Sequence, residues 1–487
     1  MTTSIIDCYT DEPAGLGVPP YLGTYSRYIY GSVDGDCYYL TIDDLRLYSK
    51  YNLQIPETKP NEKSRIGIYN LTKNYKHVEE ILKKTTHLIV ILGVHVPGKY
   101  LSAMPGTLKE LTPLIKNMTC HKTLTGPAAT SYGTQLHGGG FRERTDIGYF
   151  DEIRPSMITD YNEISKTAIK GAGLVSQIPD LRIAEIETGR GCSRNPGCSY
   201  CTEPLKNKLE FRRTQDIIAE VRALYEHGIT HFRLGKQSCF YTFGSAKEIE
   251  DLLKPIAELK PDVLHIDNAN PQMVTQEKTK KIVQYCTPGN IAAFGVESFD
   301  RAVQEKNNLN CNNEMVYNAV KIINEIGGQR AENGMHYLLP GINILFGLIG
   351  ESKDTHKQNY ENLKRFLDED LLLRRINIRK VTPLEGTKLQ QEAGDKFLKK
   401  NKKYYWKWRN SIRQDIDYPM LQKLAPVGTI MKNVRAEVYD GQRTFSRQPG
   451  TYPLIVGVKE RLELGKFYDI EVTGHMLRSI IGRVVVK

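Results

Sequence analysis

Three cysteines in one Gly-rich stretch, Glu187-Thr-Gly-Arg-Gly-Cys192-Ser-Arg-Asn-Pro-Gly-Cys198-Ser-Tyr-Cys201, constrain this chain more than any other feature. Their C-x5-C-x2-C spacing gathers three thiols into a loop that follows an apolar, strand-like run. A structural zinc centre usually takes four Cys/His ligands, often as spaced pairs. Here no second C-x2-C exists, and His227 and His231 lie beyond an intervening helical stretch. A cubane iron-sulfur cluster has four irons and is usually held by four thiolates, so three clustered thiols leave one iron open to a ligand that is not protein. The spacing therefore favours a [4Fe-4S] cluster over zinc, with Cys192, Cys198 and Cys201 as metal ligands. Cys8, Cys37, Cys120, Cys239, Cys286 and Cys311 are scattered and read as small apolar residues of a reducing compartment.

At 487 residues the chain is longer than one hydrophobic core usually organises, so several domains are expected. It opens without a basic-then-apolar signal, and no apolar run approaches the roughly 18 residues of a membrane span. A cytoplasmic protein without a membrane partner is the expectation. The net charge of +11 is unevenly placed: residues 396–487 hold 19 Lys+Arg against 8 Asp+Glu, and that excess equals the whole. Charge segregated in this way suits a polyanion, with nucleic acid favoured over an anionic membrane because the basic region lacks a strongly amphipathic apolar face.

Residues 1–175 read as a small parallel α/β, Rossmann-like domain. Apolar runs at 4–9, 65–70 and 86–94 alternate with helical stretches such as 75–84, and a helical run is expected from Tyr21. Residues 98–101, 105–107 and 137–140 are candidate ligand loops. From 181 the rhythm becomes regular. Strands are expected at 181–188, 231–235, 263–267, 291–296, 342–348 and 375–381, with helices at 214–227 and near 246–258, 274–285, 313–326 and 354–370. Six strand-helix units make an incomplete parallel barrel over 176–395, whose active residues would sit at C-terminal strand ends. His265, Asp267, Asn268 and Asn343 are further polar residues that would either face substrate or be satisfied structure.

The cysteine loop resembles that of the radical SAM superfamily, in which an aromatic residue, here Tyr200, precedes the third cysteine. That resemblance implies S-adenosylmethionine (SAM) chelated at the open iron and cleaved by one electron to an adenosyl radical. An electron donor such as ferredoxin or flavodoxin is then a partner. The first spacing is five residues where the commonest family pattern has three, with Asn195-Pro-Gly197 as a turn that absorbs the difference. By the same resemblance Gly235, Lys236 and Gln237 offer groups to the SAM amino end. Glu297 and Ser298 meet the ribose or methionyl part, and Gly347 and Gly350 let backbone approach the adenine. Residues 381–387 resemble the sixth-strand turn. The N-terminal region resembles in layout the cobalamin-binding-like domain of such enzymes. Gly93-Val-His95-Val-Pro-Gly98 lacks the aspartate that would orient the imidazole, so His95 is read as an ordinary loop histidine, with cobalamin an open alternative. A second cluster on Cys8, Cys37 and Cys120 has no matching loops.

Residues 396–413 carry eight basic residues, no acid and both tryptophans of the chain. Basic groups neutralise phosphate while aromatic faces stack on unpaired bases, so Lys399, Lys402, Trp406 and Arg409 are candidate RNA contacts. The alternative is a connecting helix (396–424) whose Trp406 and Trp408 pack inward. Residues 425–487 turn to short strands, with a hairpin signal at Asp440-Gly441. They resemble the TRAM domain of tRNA methylthiotransferases, a small β-barrel, and Arg443, Arg447 and Arg478 become candidates for phosphate. An enzyme that adds sulfur, methyl or methylthio to RNA, most readily tRNA, is the function expected. A small metabolite or protein residue as substrate, and a non-catalytic RNA-binding protein with a structural cluster, are the alternatives.

Overall fold

The computed structural model describes residues 1–8, 21–55, 68, 70–93, 105–129, 135–136, 141–142 and 146–485. The chain divides into two compact units, Met1–Ile186 with Gln215–Thr230, and Glu187–Thr214 with His231–Lys487.

The first unit holds a five-stranded sheet in the spatial order Asp36–Thr41, Thr2–Asp7, His87–Ile91, His121–Thr125, Glu152–Arg154, with every pairing parallel. By chain order this is 2-1-3-4-5, a doubly-wound arrangement. Successive residues of its central strands are buried alternately in two separate apolar clusters. Ile6, Leu88, Val90 and Leu124 lie in one, and Ile5, Tyr39, Ile89 and Ile91 in the other. A sheet buried on both faces needs unbroken apolar strands, and that is the pattern of a parallel sheet. The helix Ile42–Tyr51 starts at a capping box in which the Thr41 side chain accepts from the Asp44 N–H and Asp44 answers the Thr41 N–H.

One expectation shifts in this unit. Tyr21 begins not a helix but a two-residue strand, Tyr21–Leu22, which pairs in parallel with Ile183–Ala184, and the helix starts only at Thr24. Most of the run expected at 65–70 lies outside the described residues, while Asp36–Thr41 and His121–Thr125 are strands the pattern did not single out. The loops at 98–101 and 137–140, and His95, lie outside the described residues.

The strand Ile183–Glu187 runs into the second unit at Glu187. Within that unit His231–Gly235 pairs in parallel with Val263–Ile266, and Asn268–Ala269, Asn290–Glu297, Leu338–Phe346 and Arg375–Lys380 form a second parallel sheet in chain order. The helices Ala246–Ala257, Gln276–Tyr285, Asn313–Gly327 and Lys353–Asp368 alternate with these strands as the periodicity predicts. The first buries an apolar stripe of Ile249, Leu252, Leu253 and Ile256.

The chain ends in a closed five-stranded barrel in the order Ile430–Asp440, Arg443–Arg447, Ile455–Val458, Ile480–Val484, Phe467–His475. Closure leaves no free sheet edge. Its core is built from Met431, Val434, Ala436, Val456, Val458, Ile470, Val472 and Ile480, with Met335 of the preceding sheet domain packed among them.

Candidate active site

The cysteine loop is held at both ends. Thr188 N–H donates to Gly235 O at 3.2 Å, tying the loop's start to the end of the His231–Gly235 strand. Glu203 accepts from the Gly191 N–H at 2.8 Å through Oε1. On the far side Ser199 N–H donates to Asn307 O at 2.9 Å, its hydroxyl to Asn307 Oδ1 at 2.6 Å, and its carbonyl accepts from Leu389 N–H at 2.7 Å. Asn307 also receives Ile349 N–H at 3.1 Å and donates to Ile349 O at 2.8 Å. One buried asparagine thus joins the cysteine loop to the glycine loop at 347–350.

Cys192, Cys198 and Cys201 are free, half-buried thiols. Burial pushes Cys198 up to about 12, opposed by the Arg194 guanidinium and reinforced by Cys201, Glu297 and Cys192. Cys201 is raised by burial, and the Glu203 N–H donates to its Sγ at 3.4 Å. Among the described residues no three His, Cys, Asp or Glu side chains converge as they would on one ion. A cubane asks for something different, one thiolate for each of three irons, and the free thiols of this loop supply that donor set.

Around the loop lie the residues singled out for SAM. Lys236 and Glu297, at the ends of two different strands, both have left-handed backbone, φ +69° and +67°. Such conformations are costly away from glycine and cluster at functional sites. The pairing register slips between Gly295 and Glu297, and a Cβ on Gly295 would come within 2.9 Å of Glu297 Oε1, so the carboxyl folds back over a residue that must be small. Glu297 is 7% exposed, and its Oε2 has no partner among the described residues. Burial pushes Glu297 up to about 8 against the pull of a Tyr200 hydrogen bond and Arg379. Tyr200 is itself raised by burial and by Glu297. Gln237 is 1% exposed with neither amide atom paired among the described residues. Orphaned buried polar atoms are rare in proteins, and these belong to two of the residues singled out for SAM.

Ser298 is buried and turned inward; its hydroxyl accepts from the Asp300 N–H at 3.2 Å. Gly347 has φ +102°, and an added Cβ would fall 2.9 Å from Val381 Cγ2. Glu351 shapes this loop: its Oε2 accepts from Gly347 N–H at 2.6 Å and Leu348 N–H at 3.3 Å. Sequence reasoning passed over Glu351, Asn307 and Arg194, whose partners are distant in the chain. A carboxyl directly after the Gly347–Gly350 loop was the one signal that could have raised Glu351.

A family model for the radical SAM superfamily matches residues 186–345. An uncharacterized protein of Methanocaldococcus jannaschii is 41% identical over 99% of this chain and 93% of its own length. The chain belongs to the radical SAM superfamily. It is a radical SAM enzyme, and that membership implies a [4Fe-4S] cluster and SAM. An uncharacterized protein of Archaeoglobus fulgidus is 37% identical over 99% of the chain and 89% of its own length. The ribosomal protein uS12 methylthiotransferase RimO of Bacteroides thetaiotaomicron is 22% identical over 60% of the chain and 65% of its own. Among solved structures, the radical SAM methyltransferase TsrM of Kitasatospora setae aligns with 78% of this chain and 72% of its own, at TM-score 0.49 and 13% identity.

The residues proposed for RNA divide. Trp406 is 58% exposed on the helix Lys396–Ile412. Arg409 lies over its ring at 5.3 Å and Lys380 at 5.6 Å. Trp408, on the same helix, is buried and donates Nε1–H to His356 O at 2.6 Å. Lys399 is exposed beside Asp395 at 2.9 Å, and Lys402, Arg443 and Arg478 are exposed. Arg447 is a correction: it is 7% exposed and bound to Glu437 at 2.8 Å, because its strand turns it toward a carboxylate rather than to solvent. Asp267 and Asn343 are likewise satisfied structure. Asp267 pairs with Arg233 at 2.5 Å and accepts from Tyr452 Oη–H at 2.9 Å, and Asn343 bonds Phe294 O and Asn377. His265 faces Thr451, whose N–H lies 3.3 Å from its Nδ1. Among the described residues no helix is long and apolar enough to cross a membrane.

Proposed function

We propose that this enzyme modifies RNA, with tRNA the expected class, by adding a sulfur, methyl or methylthio group. The observation that carries the reading is the exposed Trp406 ring flanked by Lys380 and Arg409. The helix that bears it has eight basic residues and no acid over 396–413. A base stacked on an indole, with cations beside it for phosphate, is how unpaired nucleic acid is gripped.

When bound, the cluster and SAM supply reductive, one-electron cleavage of SAM. The chain's own part is to hold it. The unpaired Glu297 Oε2 and Gln237 amide would take polar groups of the methionyl and ribose parts. The backbone of 347–350, shaped by Glu351, would lie along the adenine, with Tyr200 beside it. A flipped-out nucleotide is the form of substrate that reaches such a pocket.

The test is equilibrium binding of tRNA to the full chain at rising salt. Affinity should fall steeply with salt, and Trp406→Ala should weaken it by about 1–3 kcal/mol. Salt-independent binding, or a Trp406→Ala variant that binds as the parent does, would remove the main support. A second reading, in which the acceptor is a protein residue, is favoured by the relative whose name gives it a ribosomal protein to act on. It expects no tRNA binding and label from methyl-tritiated SAM in protein.

A further inference from the structure

The five residues between Cys192 and Cys198 form a clamp. Arg194 Nη1 donates to Asn308 O at 2.6 Å and Nη2 to Asn308 Oδ1 at 2.9 Å. The same Nη1 lies 3.3 Å from Cys198 Sγ. Asn308 returns the grip, its Nδ2 donating to Gly197 O at 3.2 Å and to Pro196 O. Its φ of +48° is a left-handed conformation that asparagine tolerates better than most residues. Arg194 is half-buried, and among the described residues its hydrogen bonds go to a carbonyl, an amide oxygen and a thiol, not to a carboxylate. Its charge is therefore left for the sulfur. Cys201, by contrast, has a neutral hydrogen-bond donor, the Glu203 N–H at 3.4 Å, with Lys206 acting on it through its charge.

We propose that Arg194 is a positioning residue that sets the reduction potential of the cluster through a charged N–H donor at the Cys198 sulfur. The inference rests on Cys192, Cys198 and Cys201 holding the cluster. Reduction adds one electron, and so one negative charge, shared between irons and sulfurs. A donor at a ligating sulfur stabilises that added charge, and hydrogen bonds to sulfur are among the levers that set such potentials. Charge-assisted donors act more strongly than neutral ones. The longer first spacing then has a use, because the Asn195-Pro-Gly197 turn lets Arg194 reach back to the second thiol while Asn308 fixes its fork.

The full chain is reconstituted anaerobically with iron and sulfide and titrated with dithionite, the reduced cluster being read by electron paramagnetic resonance. Arg194→Gln should bind as much iron as the parent but disfavour the reduced state at least tenfold, which is 59 mV to lower potential for a one-electron couple. Arg194→Lys, which keeps the charge, should shift less. Asn308→Ala, which frees the fork without removing it, should shift in the same direction as Arg194→Gln. An Arg194→Gln protein with the parent's potential overturns the proposal. So does one folded by circular dichroism that takes up no cluster, since Arg194 would then serve only the loop's shape. A parent protein that takes up no cluster defeats the underlying reading instead, and the two failures are told apart by its iron content.

Discussion

Two carboxyl groups at strand ends of the second unit, Glu297 and Asp267, are almost equally buried, at 7% and 3% exposure. Their surroundings differ. Asp267 is met by Arg233 at 2.5 Å and by the Tyr452 hydroxyl at 2.9 Å, so its charge is answered from within the chain. Glu297 keeps one oxygen unpaired among the described residues, and burial pushes it up to about 8. A carboxyl whose charge is answered within the chain serves the fold, whereas Glu297 keeps an oxygen that a bound polar group could pair with. Tyr452 belongs to the loop before the Ile455–Val458 strand, so the C-terminal barrel completes the polar interior of the sheet domain. Arg374 confirms the junction by donating to Tyr452 O at 2.7 Å, with Arg375 over the Tyr452 ring at 4.6 Å.

The comparison can be broken at the cysteine loop first. Replacing Cys192, Cys198 and Cys201 together by alanine should abolish bound iron and the release of 5′-deoxyadenosine from SAM while the protein still folds. Retained iron would show that the open groups beside the loop have been misread. Next in size is the carboxyl pair. Asp267→Ala strands Arg233 and should cost about 3–5 kcal/mol in chemical denaturation. Glu297→Gln should leave unfolding unchanged or harder, and instead weaken SAM binding by about 0.5–1.5 kcal/mol, the worth of one hydrogen bond. Equal destabilisation by both would erase the distinction.

The two tryptophans sharpen the same contrast on one helix. Trp408→Ala should lose about 3–5 kcal/mol of stability, the range for emptying a buried aromatic site. Trp406→Ala should leave the melting curve in place. A pH dependence is set by Glu351, which burial pushes up to about 8 from a reference of 4.5. Its folded form binds a proton more readily than the unfolded chain does. Its contribution is therefore most favourable below pH 4.5 and is lost as pH rises through about 8. His356, 3.5 Å away, is held down to about 4 by burial and is neutral across that window. Glu351→Gln should flatten the decline in stability above pH 4.5, read from denaturation midpoints across pH; an unchanged slope would place the proton elsewhere.

Much of this was legible in the sequence where a period or a count carried it. The barrel strands and the helices between them follow from apolar runs and stripes, and the candidate cluster ligands are picked out by three thiols in one loop. Sequence signals failed where structure depends on distant partners. Tyr21–Leu22 is too short to carry a period and exists through its pairing with Ile183 and Ala184. His121–Thr125 is a polar five-residue run that becomes a strand beside His87–Ile91. Arg447 looked like a phosphate contact until its neighbour across the hairpin proved to be Glu437. Arg194 drew no notice because its partner, Asn308, lies 114 residues away. The removal of residues 396–487, a natural way to test the basic end, is ruled out on the same grounds, since Trp408, Tyr452 and Met335 tie that end to the sheet domain.

The claim that this radical SAM enzyme acts on RNA is tested most directly by mass spectrometry of tRNA nucleosides from cells with and without the gene. The account predicts one modified nucleoside that disappears with the gene, its mass above the parent giving the sulfur, methyl or methylthio group, and returns with the intact chain but not with Cys192, Cys198 and Cys201 replaced by alanine. Identical nucleoside profiles in the two strains would contradict it.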